Sequence, residues 1–158
     1  MALLNGKTLI ILRSSFLWTL AYFLLVDPRA VSGYSALVLF AQAMQLRLVE
    51  FSPNNPVVPI LGAFLMFQGI ADILPLSGDY LSHFDLIIPF RLCAYFALGA
   101  FCYLKKYALL SNSFVFFFSM VEITLNFFIY KAIREERNDN IAKQVNVERA
   151  RGHYNHEE

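Results

Sequence analysis

The chain has 158 residues, of which 58% are hydrophobic, 16% aromatic and only 16% charged, and its mean hydropathy is +0.51. That is too little polar surface to solvate a globular domain of this length, so the expected class is an all-α membrane protein. A formal net charge of +1 provides no basic field, which excludes nucleic acid as a direct partner.

A helix needs about 19 apolar residues to cross a hydrocarbon core, and this length predicts a bundle of five helical segments, four or five of them transmembrane. The first, TLIILRSSFLWTLAYFLLV (8–26), is stopped by Asp27 and Pro28. Arg13 interrupts its apolar run and no small-residue cleavage site follows, unlike a cleaved signal. The second, VSGYSALVLFAQAMQLRLV (31–49), is weakened by Ser32, Gly33 and Ser35 and interrupted by Gln42, Gln45 and Arg47. It is expected to span with its polar side against protein, folding back on the first helix through the short DPRA connection; the alternative is a re-entrant or interfacial helix.

The third segment, VVPILGAFLMFQGIADILPL (57–76), follows SPNNP and ends at Pro75 and Gly78, breakers that sit where its ends should be. The fourth runs from about residue 85 to 104 and is closed by Lys105 and Lys106. Within it Cys93 and Cys102 lie about 13 Å apart along the helix axis, too far for a disulfide, and both read as packing residues. The fifth, NSFVFFFSMVEITLNFFIYKA (112–132), gives way to a tail of mixed charge. Lys131 can meet Glu135 one turn on, so the last helix is expected to extend into water before fraying. The chain thus divides into a transmembrane helix bundle (1–132) and a polar, helical-to-disordered tail (133–158). The tail is placed in the cytosol because it carries the densest block of lysine and arginine beside a span. His153 and His156 have no further ligand nearby, and no metal site is expected of them.

Polar residues inside the spans are expensive unless paired. Gln68 and Asp72 share a face of the third segment, Arg91 and Tyr95 share one of the fourth, and Glu122, Asn126 and Tyr130 form a stripe down the fifth. Arg13 stands in the first segment and Gln42 in the second. Two acids and two arginines allow two neutral pairs. The short connection SGDYLSHF makes the third and fourth segments a hairpin, with Asp72 about 6 Å and Arg91 about 9 Å from its closed end by helical rise. Asp72 is therefore predicted to be the counter-ion of Arg91, leaving Glu122 for Arg13.

QGIADILPL (68–76), IPFRL (88–92) and VEITLNFFIYKAIREERN (121–138) together resemble the fungal family of multi-pass proteins named for increased loss of mitochondrial DNA. The resemblance runs from the first segment to about residue 140. It implies an endoplasmic reticulum membrane protein whose loss harms maintenance of the mitochondrial genome, and it carries over no catalytic residue. No HExxH, nucleophile elbow, phosphate loop or Cys–His cluster occurs in the chain, so no enzyme activity, cofactor or metal is expected.

Two function classes follow. One is a non-enzymatic subunit or scaffold, bound to membrane lipid and to a membrane-protein partner. That partner would meet the face carrying Glu122 and Asn126, or the helix past Tyr130, with Gly62, Gly69 and Gly99 permitting close approach. The other is a lipid-handling or transport protein that uses Asp72, Arg91 and Glu122 chemically.

Overall fold

The structure, a computed structural model, describes residues 5–52, 54–78, 81–104 and 112–154. Six helices occupy them: α1 (Gly6–Val26), α2 (Pro28–Ser32), α3 (Ser35–Ala43), α4 (Val57–Ser77), α5 (Leu81–Tyr103) and α6 (Ser113–Tyr154). Four of these, α1, α4, α5 and α6, are long and apolar enough to cross a membrane, and the protein is read as multi-pass on that ground.

Local chemistry explains most boundaries. Asn5 caps α1 by accepting the Lys7 amide at 3.2 Å, Asp27 caps α2 through the Ala30 amide at 3.3 Å, and Asn112 caps α6 through the Val115 amide at 2.8 Å. Pro59 falls in the first turn of α4 and Pro75 two residues before its end, where few backbone bonds are lost. The α5 helix starts one turn earlier than the expected residue 85 and so carries Pro89 in its interior.

The spans alternate in direction. Gly62 and Gly69 of α4 lie against Leu25 and Trp18 of α1, and Gly99 of α5 lies against Ser119 and Met120 of α6. Gly6 at the start of α1 meets Ile133 of α6, and Gln68 of α4 bonds Tyr95 of α5. Each pair is antiparallel, so α1, α4, α5 and α6 close an up-down ring, with α1 packed most extensively on α4 and α5 on α6. Both α1 and α6 have their outer ends on one face, hereafter the terminal face.

That arrangement corrects the expected second span. Because α1 leaves and α4 enters on the same opposite face, the residues between them cannot make a single crossing. They form α2, of five residues, and α3, of nine, which is about 14 Å against a core of about 30 Å. A Schellman turn ends α3: the Leu46 amide donates to Ala41 at 2.9 Å and the Gln45 amide to Gln42 at 3.2 Å, with Gln45 at φ 51°. The chain then runs beside the start of α6, where the Ser113 amide donates to the Arg47 carbonyl at 3.0 Å. Phe40 of α3 stacks on Phe116 at 5.7 Å between ring centres. The re-entrant or interfacial alternative is the one this geometry fits.

Packing is layered. Toward the terminal face, Leu9, Ile10, Phe84, Ile88, Ile129 and Ile133 form one core; toward the opposite face, Leu17, Ala21, Leu24, Val58, Leu65 and Phe114 form another. Large apolar residues such as Phe64, Phe67, Leu86 and Phe90 point outward, as surfaces facing lipid do. Cys102 is buried but Cys93 is exposed, so only the former is a packing residue within the chain. The α6 helix continues well beyond the bundle to Tyr154; His156 lies outside the described residues.

Candidate functional site

The two apolar cores are separated by a layer of charge. Arg13 of α1, Asp72 of α4 and Glu122 and Asn126 of α6 are all fully buried, and Arg91 of α5 retains 20% exposure of its side chain. Each residue is delivered by an antiparallel pairing already described. In α1 and α6, the contacts Gly6–Ile133 and Arg13–Glu122 advance together; in α4 and α5, Gln68–Tyr95 and Asp72–Arg91 do the same, one turn apart.

Arg91 Nη1 stands 2.6 Å from Asp72 Oδ1, so the expected hairpin pair forms. Arg13 Nε donates to Glu122 Oε2 at 2.8 Å, and Arg13 Nη2 lies 2.7 Å from the same oxygen, so the second expected pair forms too. The expectation of two separate pairs is corrected, however, because Arg13 Nη1 also donates to Asp72 Oδ2. The four charges are one chain, Arg91–Asp72–Arg13–Glu122, that ties all four spanning helices together. Arginine suits the central position because its planar fork can serve two carboxylates at once, which a lysine point charge does less well.

Asn126 completes the layer. Its Nδ2 donates to the Glu122 carboxylate at 2.9 Å and to the Glu122 carbonyl at 2.7 Å, holding the acid toward Arg13. Beside the charges, Gln68 Nε2 donates to the Tyr95 hydroxyl at 2.8 Å, the second rung of the α4–α5 hairpin. Tyr130 is not part of the layer: its hydroxyl accepts from Arg134 at 3.2 Å, one turn further along α6. Gln42, near the end of α3, is exposed and also lies apart from it.

An isolated charge at mid-bilayer costs about 3 kcal/mol on insertion scales. Here two positive and two negative groups cancel within hydrogen-bonding distance. Two oxygens, Glu122 Oε1 and Asn126 Oδ1, are buried and accept no hydrogen bond from the described residues. Among the described residues no group of three or more His, Cys, Asp or Glu side chains could hold a metal ion.

Sequence reasoning missed Trp18. A Cβ on Gly69 would stand 2.6 Å from its Nε1, and that nitrogen donates to the Met66 carbonyl at 3.4 Å, which locks α1 onto α4 beside the charged layer. The signal was present in the seven-residue spacing of Gly62 and Gly69, one face of a helix. These two glycines serve contact within the chain, which corrects their assignment to a partner. Glu122 and Asn126, being buried, are likewise removed from any partner-facing surface.

Comparison with known proteins finds the family that the resemblance named, and the matched range holds two of the three stretches quoted for it, QGIADILPL and IPFRL. Residues 4–109 match the family described as Increased loss of mitochondrial DNA protein 1. Protein ILM1 of Saccharomyces cerevisiae is 28% identical over 137 residues, covering 86% of this chain and 68% of its own. Protein ilm1 of Schizosaccharomyces pombe is 26% identical over 134 residues, covering 84% and 78%. No solved structure matches the chain. With most of its bundle matched, the chain belongs to the Increased loss of mitochondrial DNA protein 1 family.

Proposed function

We propose that the protein is a non-enzymatic, multi-pass subunit or scaffold of the endoplasmic reticulum membrane, needed indirectly for maintenance of mitochondrial DNA. The role in mitochondrial DNA rests on the name shared by its relatives, and the compartment on the family resemblance. A chain with four candidate spans and no basic field acts on a genome through membranes, by lipid supply, membrane contacts, ion balance or assembly of other membrane proteins. The observation that carries the scaffold reading is the internal cancellation of charge: Arg91, Asp72, Arg13 and Glu122 neutralise one another. Each charge is already engaged in holding helices together.

A surface open to a partner is the helix past Tyr130, where Ile141, Val145 and Val147 are exposed among polar residues. Purified gently from endoplasmic reticulum membranes, the protein should run in an assembly larger than itself, with cross-links from this helix. Substituting Ile141 and Val145 by serine should release the partner while leaving the protein abundant.

The alternative, a lipid-handling or transport protein, draws support from the unshared oxygens of Glu122 and Asn126. A monodisperse, partner-free protein that moves or modifies a lipid after reconstitution, and loses that activity in Glu122→Gln while keeping its fold, would replace the scaffold reading with this one.

A further inference from the structure

A cavity of about 430 Å³ lies between α1, the α2–α3 turn and the first half of α6. Phe16, Leu20 and Phe23 of α1 line one wall and Phe114, Phe117 and Val121 of α6 the other. Of the lining residues Leu37 and Phe114 are buried, whereas Thr19, Phe23, Ala30 and Tyr34 are exposed and mark its open side. The one hydroxyl on the α1 wall is already used, since Thr19 donates to the Ser15 carbonyl at 2.8 Å.

We propose that this cavity holds one acyl chain of a membrane phospholipid. The lining runs from Phe16 to Phe23 on α1 and from Phe114 to Val121 on α6, about 10 Å along each helix and within the spans. Space at that depth opens onto hydrocarbon. Water is a poor occupant, because a cavity holds water only where two to four polar partners converge. A hydrocarbon chain needs no polar partner, and the bilayer supplies it at that depth.

Charge at the mouth agrees. The exposed side reaches the opposite face at Ala30 and Tyr34, beyond the end of α1, and the exposed Arg29 immediately precedes Ala30. Its guanidinium makes no ion pair among the described residues. The neighbouring acid, Asp27, is occupied in capping α2. A phosphate at the membrane boundary would find this cation while its chain enters between the phenylalanines. The resulting lipid is a resident structural element that fills the gap left where α2 and α3 fail to span. This inference stands independently of the scaffold reading, since a resident lipid requires neither a partner nor an activity.

The test uses the full chain reconstituted in phosphatidylcholine vesicles containing a phospholipid with a photoactivatable group midway along one acyl chain. After irradiation, peptide mapping should find several-fold more label on Phe16, Phe23 and Phe117 than on Leu86 and Phe90, which face bulk lipid. Val121→Trp should fill the cavity, and Ala30→Phe should obstruct its mouth from an exposed position. Each should bring the cavity label down to the level of Leu86. If Val121→Trp does not accumulate, Ala30→Phe decides alone. Cavity label no greater than that on Leu86 in the unaltered chain, or undiminished in the accumulating variants, overturns the proposal.

Discussion

Arg13 touches both buried acids, and that shared contact orders the consequences of mutating the layer. Asp72→Asn leaves two arginines facing one carboxylate, and Arg91→Gln leaves two carboxylates facing one arginine. Each should lower steady-state abundance, with a cost of about 3 to 5 kcal/mol for the fully buried Asp72 and less for the partly exposed Arg91. Combining them restores neutrality around an intact Arg13–Glu122 pair, so the double variant should accumulate better than Asp72→Asn alone. Arg13→Gln with Asp72→Asn is also neutral, but it strands Arg91 and Glu122 on helices that do not pair them, and it should not recover. Quantitative immunoblotting of the four variants checks the chain of contacts; equal rescue by both double variants would exclude it. A second residue-scale prediction concerns Gln45, which sits at φ 51° without being glycine. Left-handed backbone costs an L-residue about 1 to 2 kcal/mol, partly offset by the greater unfolded-state entropy of glycine. Gln45→Gly should therefore raise the unfolding midpoint in detergent; a lowered midpoint would show that the Gln45 side chain contributes more than its backbone costs.

At the scale of elements, the α1–α4 contact is closer than the α5–α6 contact, and glycine marks the difference. A methyl group on Gly69 would meet Trp18 at 2.6 Å, whereas one on Gly99 would meet Met120 at 3.7 Å, an ordinary van der Waals distance. Gly69→Ala should cost about 1 to 3 kcal/mol through overpacking. Gly99→Ala should be neutral or slightly stabilising, since alanine favours helix by about 1 kcal/mol. Unfolding in mixed micelles distinguishes them, and Trp18→Phe should partly relieve Gly69→Ala if the indole is the obstacle. The α2–α3 segment shows the opposite relation between sequence and element. Its residues are apolar enough to enter a membrane, yet the Schellman turn at Gln45 and the antiparallel α1–α4 pairing return it to the face it came from.

For the whole molecule, four crossings put both ends on one side. Among the described residues the terminal face gathers Lys7, Lys131, Arg134, Arg137 and Lys143, against Arg29 and Arg47 on the other, so the positive-inside rule predicts a cytosolic terminal face. Glycosylation acceptors added at the N-terminus or beyond residue 140 should stay unmodified, while one carried on a flexible insertion at Asn54 should be modified. Modification of only one terminus would mean an odd number of crossings and would contradict the ring. Modification of both, with Asn54 spared, would keep the ring and reverse its orientation.

The four firm spans and the α4–α5 ion pair were legible in the sequence because hydropathy over one helix length and depth along a short hairpin are local properties. Asp27 was legible as the stop of the first segment, whereas its cap on α2 and that of Asn112 on α6 came with the structure. What lay beyond reach depended on contacts between segments distant in the chain. Arg13 lies 59 residues from Asp72 and 109 from Glu122, and charge counting alone is satisfied equally by two pairs or by one chain of four. Only the convergence of α1, α4 and α6 puts a single guanidinium between both acids. The same holds for residues 31–49, whose hydropathy permits a span: the number of crossings was set when α1 and α4 packed antiparallel through Gly62 and Gly69, because two neighbouring spans that begin and end on one face leave no side for a fifth helix to reach.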